Sequence, residues 1–167
     1  MRAALLVGIA LVAVAAKPAA GPVLKCTHVS RGFRACTTFF ERKDEQSAIY
    51  RRTNGSWHKV AGGLGRPGWW RRVVAAPDRA TLLAQWSGEC ESQSTHFVSA
   101  SSGRTRPIFP GHDSTVAGWT GSGLALVRLN EAIWRGQVKV RGPGIYVVDP
   151  RNGAATLRRA KPTSPGC

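Results

Sequence analysis

Carboxylates are scarce in this sequence, which has 9 aspartate and glutamate residues against 24 lysine and arginine residues and a formal net charge of +15. So few acidic side chains leave little material for an acid–base catalytic pair or an oxygen-ligated metal site. The excess of basic residues predicts attraction to anions instead. The candidate anion-binding residues are the arginine doublets Arg51-Arg52, Arg71-Arg72 and Arg158-Arg159.

Helical patterning is also lacking, because no stretch after residue 20 repeats apolar residues at a spacing of about 3.6. The chain has 19 Gly, 10 Pro and 6 Trp but only 1 Met, and 43% of its residues are hydrophobic. This composition is typical of one globular domain with many turns and large aromatic packing units. We therefore expect an all-β fold.

The N-terminus carries the one long apolar run, from Ala3 to Ala16, preceded by Arg2 and containing the cleavage-like triplet Ala13-Val14-Ala15. This pattern predicts a signal peptide over residues 1–20, followed by a domain over 21–160 and a C-terminal tail over 161–167. As a helix the run spans about 21 Å, less than a bilayer core of roughly 30 Å, so no transmembrane anchor is expected after cleavage. An uncleaved signal anchor is the alternative. The expected location is secreted, periplasmic or in the cell envelope.

No pair of cysteines has the C-x-x-C spacing of a zinc or redox site. The four cysteines of an exported chain predict two disulfides, with no metal and no cofactor. A probable turn over residues 31–34 favours the pair Cys26–Cys36, and elimination then leaves Cys90 with Cys167.

An internal repeat is visible at Gly55, Gly103 and Gly153, which are 48 and 50 residues apart and each follow a β-type run. A second predicted hairpin precedes each of them, so each unit has four strands. The units cover residues 22–62, 66–110 and 113–160. A period of 45 to 50 residues with four strands is the pattern of β-propeller blades.

The stretch "IYVVDPRNG", together with the turn "APDRATLLAQ", resembles the repeats of bacterial exported WD40-like propellers of the TolB type. The resemblance implies three four-stranded antiparallel blades, with a β-sandwich or small barrel as the alternative fold. Three blades in an open arc leave two outer faces. We therefore expect a partner protein or a homo-oligomer to cover them.

Catalytic motifs are missing from the sequence. His112, Asp113 and Ser114 are adjacent, but neighbouring side chains of an extended segment point apart and make no triad. The sequence thus predicts an exported, non-catalytic binding or assembly module with a basic surface. Its expected partner is an anionic envelope polymer or another protein, and export argues against nucleic acid. The alternative is a secreted hydrolase or lyase that uses loop carboxylates, for which the candidates are Asp44, Glu45, Glu89 and Glu91.

Overall fold

A computed structural model describes residues 23–39, 46–88 and 92–160 of the chain. Every regular element in these residues is a β-strand, and none is a helix long and apolar enough to cross a membrane. The strands are β1 (Val23–Cys26), β2 (Phe33–Phe39), β3 (Gln46–Thr53), β4 (Ser56–Ala61), β5 (Trp69–Ala75), β6 (Thr81–Ser87), β7 (Gln93–Ser99), β8 (Thr105–Pro107), β9 (Ser114–Trp119), β10 (Ala125–Leu129), β11 (Ile133–Arg135), β12 (Val138–Arg141), β13 (Gly144–Val148) and β14 (Ala155–Ala160).

Twelve of the strands form three four-stranded antiparallel sheets. Sheet 1 has the order β1-β2-β3-β4, sheet 2 has β5-β6-β7-β8, and sheet 3 has β9-β10-β13-β14. Strands that follow one another within a sheet are neighbours, as in propeller blades, and the described residues form no closed barrel. The prediction of three four-stranded blades is confirmed. The remaining hairpin, β11-β12, is inserted between the two central strands of sheet 3, and the sequence did not predict it.

The repeated glycines close the third hairpin turn of each sheet. Gly55, Gly103 and Gly153 have φ angles of +83°, +68° and +77°. Side chains other than glycine rarely adopt this left-handed region, so the sequence period reflects a backbone requirement. Asn54 precedes Gly55 with a φ of +51°, which is the Asn-Gly pattern of a type I′ turn.

Sheet 2 lies between the other two sheets and buries both of its faces. Alternate residues of its second strand point to opposite sides, so Leu82 packs toward sheet 1 and Leu83 toward sheet 3, both with no exposed surface. One core joins sheets 1 and 2 around Phe33, Ile49 and Trp70. The hydrophobic strand β6 is thus explained by burial on two faces rather than one.

The Cys26–Cys36 disulfide forms as predicted, between residues that are directly opposite in the β1-β2 pair. The side chain of Cys36 points to the opposite face of β2 from Phe33 and Ala35, which belong to the core. The bond therefore lies on the face of sheet 1 that points away from sheet 2. Cys90 and Cys167, the other predicted pair, lie outside the described residues, as does the predicted signal peptide.

The outer face of sheet 3 is half-buried. In β13 the side chains of Tyr146 and Val148 are buried in the core between sheets 2 and 3, whereas Val147 between them points to the opposite face. Leu126 of the neighbouring strand is opposite Val147 and lies on the same outer face.

Candidate functional site

A groove of about 670 Å³ lies where sheet 1 meets sheet 2. One wall is the segment 27–30 that follows β1, and the other is the segment 71–74 of β5. The groove contains Arg71, Arg72 and His28, so one of the three predicted arginine doublets lines a cavity together with a histidine from the neighbouring sheet.

A β-bulge in β5 explains why both arginines reach the same groove. Trp70 is opposite Trp86 and Arg72 is opposite Gln85, which leaves Arg71 as the extra residue of the bulge. Without the bulge, Arg72 would share the face of Trp70, which is buried against sheet 1. The extra residue shifts the alternation, so Val73 is the next residue in that core and Arg72 points away from it.

The two arginines differ in how firmly they are held. Arg72 donates a hydrogen bond of 3.0 Å from Nη1 to the backbone oxygen of Val116 in β9. This bond uses one of the five N–H donors of the guanidinium and ties it to sheet 3. Arg71 is exposed and has no hydrogen bond or ion pair with any described residue. The groove therefore has one anchored and one free guanidinium.

No aspartate or glutamate lines this groove among the described residues. The two amide side chains in its wall bond to each other, with Gln85 Nε2 donating to Gln93 Oε1. Asp113 accepts hydrogen bonds from the backbone N–H of Gln93 and from Asn130 Nδ2, so its carboxylate is already engaged. No carboxylate of the described residues therefore neutralises Arg71 and Arg72 within the groove, which makes the groove suited to an anion.

The other predicted arginines lie elsewhere. Arg51 and Arg52 are on β3 of sheet 1, and Arg158 and Arg159 are on β14 at the edge of sheet 3. The structure therefore does not bring the three doublets into one site.

Sequence reasoning also missed Arg34, whose guanidinium carbon lies 3.9 Å from the ring centre of Trp57. These two side chains come together only because β2 pairs with β3 and β3 pairs with β4.

His112, Asp113 and Ser114 have separate structural partners and form no triad. His112 Nδ1 lies 3.2 Å from Glu131 Oε1. Ser114 is fully buried, and its hydroxyl accepts a hydrogen bond from the backbone N–H of Thr95. These side chains hold the start of β9 against β7 and the segment before β11.

Ser94 and His96 are the one serine–histidine pair with a hydrogen bond in the described part of the chain, at 2.9 Å between Oγ and Nε2. Arg66 Nη2 also donates to Ser94 Oγ. Burial, with a smaller contribution from Arg66, lowers the pKa of His96 from 6.5 to about 4. His96 Nδ1 is buried without a partner among the described residues, so none of their carboxylates orients the ring. A base this weak and unsupported does not match a serine hydrolase.

The loop carboxylates proposed for a hydrolase or lyase, Asp44, Glu45, Glu89 and Glu91, lie outside the described residues. Within the described ranges no three His, Cys, Asp or Glu side chains are grouped so that they could hold a metal ion.

Comparison with known proteins gives one structural similarity. No family model matches the chain, and no curated protein matches it. Among solved structures, TolB from Acinetobacter baumannii is similar with a TM-score of 0.49 and 18% identity. The match covers 81% of this chain and 32% of that one, so the chain spans about a third of the TolB structure. This level of similarity does not allow any function of TolB to be assigned to this chain.

Proposed function

We propose that this protein is an exported, non-catalytic binding module and that the groove between sheets 1 and 2 binds an anionic polymer of the cell envelope. The observation that carries the proposal is the β5 bulge, which places Arg71 and Arg72 in one groove that no carboxylate of the described residues lines. A disulfide between Cys26 and Cys36 supports an oxidising compartment, where envelope polymers are the accessible polyanions.

The chemistry of the groove favours a phosphate-bearing chain. A guanidinium offers paired N–H donors that match phosphate oxygens. Arg72 is held in place by Val116, so one of the two guanidinium groups is already ordered when the ligand arrives. The side chain of Arg71 bonds to none of the described residues, so its charge is available to the ligand.

Inorganic polyphosphate, used as a probe, tests this proposal. Its affinity for the purified protein is measured at two salt concentrations, with Arg71→Gln as the test variant. Loss of one charge-assisted contact should weaken binding by about tenfold. The matched control is Arg104→Gln, because Arg104 is equally exposed but lies in the turn before β8. For the wild type and for each variant that binds, the affinity for polyphosphate should be lower at the higher salt concentration.

The comparison between the two variants decides the outcome. A loss with Arg71→Gln and little change with Arg104→Gln supports the groove. An equal, small loss in both would mean that polyphosphate binds only to the general positive charge, and the groove would then have no special role.

A further inference from the structure

Exposed hydrophobic side chains are concentrated around the inserted hairpin β11-β12. Trp134, Val138 and Val140 on this hairpin are 57%, 66% and 47% exposed, and Leu157 on β14 is 46% exposed. In the described part of the chain, Val29 is the other large hydrophobic residue that is exposed. Trp134 is directly opposite Lys139, and Val138 is directly opposite Arg135, so Trp134 and Val138 lie on opposite faces of the hairpin. Both faces of the hairpin near its turn therefore carry an exposed apolar side chain beside a cation.

The base of this hairpin is fixed to sheet 3. Ile133 packs against the core between sheets 2 and 3. The guanidinium of Arg141 lies 5.7 Å from the ring centre of Phe109 and donates from Nη1 to the backbone oxygen of Ala155. Tyr146 Oη donates a hydrogen bond of 2.7 Å to the backbone oxygen of Gly142. The hairpin is thus held in a defined position.

A groove of about 660 Å³ separates the hairpin from β14. Val140 and Leu157 supply apolar walls, and Arg135 also lines the groove. Exposed apolar groups beside a cation can contact the hydrocarbon and the headgroup of the same amphipathic molecule.

The hairpin carries positive charges, and no acidic side chain in the described part of the chain neutralises them. Arg135 and Lys139 are exposed, and neither makes an ion pair with a described residue. The nearest acidic residue in sequence, Glu131, accepts hydrogen bonds from the backbone N–H of Asp113 and bonds to His112. An anionic surface would satisfy both cations.

We propose that the β11-β12 hairpin docks on a bilayer surface rich in anionic phospholipid. The hairpin enters turn-first, so that Trp134 on one face and Val138 on the other reach the region between headgroups and acyl chains, and Arg135 and Lys139 contact the lipid phosphates. Tryptophan suits this depth because its ring is apolar while its N–H needs a polar partner. A bilayer can surround both faces of the hairpin, whereas a flat protein surface would cover only one of them, and this argues for a lipid surface over a protein. This inference does not depend on the groove at Arg71.

Flotation with vesicles of phosphatidylglycerol and phosphatidylcholine, against vesicles of phosphatidylcholine alone, tests the proposal on the purified protein. Binding should need the anionic lipid. Trp134→Ala should weaken it by about tenfold. Arg135→Gln and Lys139→Gln should each weaken it by about fivefold, and these losses should shrink at high salt. Val138 is the most exposed of the exposed hydrophobic residues in the described part of the chain. Val138→Ser therefore provides a second variant that removes an apolar side chain.

Matched controls separate the hairpin from the rest of the surface. Trp57→Ala removes a tryptophan from sheet 1, and Arg79→Gln with Arg104→Gln removes two exposed cations elsewhere. These controls should bind vesicles as the wild type does. In addition, brominated lipid should quench less fluorescence in Trp134→Ala than in the wild type.

Three results would overturn the proposal. The first is no vesicle binding, and the second is binding that the hairpin variants leave unchanged. The third is a Trp134→Ala protein whose molecular mass in solution drops while vesicle binding persists, which would show that a second copy covers the hairpin. Loss of polyphosphate binding in Arg71→Gln with normal vesicle binding would concern the groove alone.

Discussion

Gly103, in the turn between β7 and β8, packs directly against the backbone carbonyl of Val60 in β4. A β-carbon at this position would fall well inside the van der Waals radius of that oxygen. The contact crosses from sheet 2 to sheet 1. A similar contact joins the next two sheets, where Arg106 of β8 donates from Nη2 to the backbone oxygen of Pro150. The turn between third and fourth strands thus touches the last strand of the preceding sheet in both cases.

Replacing Gly103 with alanine should therefore be more costly than the same change at Gly55. Both residues have positive φ angles, but a β-carbon at Gly55 would meet no atom within 4 Å. Gly55→Ala should lower the free energy of unfolding by about 1–2 kcal/mol through backbone strain alone. Gly103→Ala should lower it by about 2–5 kcal/mol, because overpacking adds to the strain. Urea unfolding of the two variants measures the difference, and equal losses would argue against close packing at Val60.

The strands and their turns could be predicted because they depend on local sequence. Alternating and β-branched runs end at residues such as Asn54-Gly55, and the backbone requirement of a turn leaves a trace at each Gly of the repeat. The Cys26–Cys36 pair was also local, since one short turn separates the two strands.

The candidate sites could not be predicted fully, because they depend on irregular pairing and on contacts between sheets. The doublet Arg71-Arg72 is visible in the sequence. The bulge that directs both side chains toward the same groove is not visible there. The hairpin β11-β12 was missed for a related reason. Its strands are short, and its exposed Trp134 and Val138 resemble core residues when only the sequence is read.

The disulfide at Cys26 and Cys36 should contribute measurably to stability. It closes a short loop, with a sequence separation of 10, and a loop of this size is expected to contribute about 2–3 kcal/mol. The double variant Cys26→Ala/Cys36→Ala should lose this amount in urea unfolding. Reductant should lower the free energy of unfolding more in the wild type than in the variant, because the variant lacks this bond. A variant as stable as the oxidised wild type would contradict this expectation.

Acidification should destabilise the protein through His96. The folded protein holds this histidine neutral down to about pH 4, whereas the unfolded chain binds a proton near pH 6.5. The unfolded state therefore binds more protons between these two values, and the free energy of unfolding falls as pH falls through that window. The full effect is about 3 kcal/mol. Urea unfolding from pH 7 to pH 4 should show a shallower pH dependence for His96→Gln than for the wild type, and identical slopes would exclude this role.

Substitution by aspartate should destabilise the protein strongly at Val148 and only slightly at Val147. Val148 is fully buried in the core that sheets 2 and 3 share, so Val148→Asp would bury an unpaired charge and cost about 3–5 kcal/mol or more. Val147→Asp should leave the fold largely intact, because this side chain points away from the core and is half-buried. Circular dichroism and urea unfolding distinguish the two variants.

Val147→Asp also tests whether the outer sheet faces meet in self-association. Sheet 2 buries both faces, and continuing that packing would place the outer face of sheet 3 on the outer face of sheet 1 of a second copy. Arg128 on the first face and Arg34 on the second would repel each other, so association should strengthen as salt is raised. Light scattering over a range of protein and salt concentrations should show a wild-type oligomer that Val147→Asp reduces to a monomer. A wild type that remains monomeric at every salt concentration would mean that the half-buried outer face of sheet 3 is stable in contact with water.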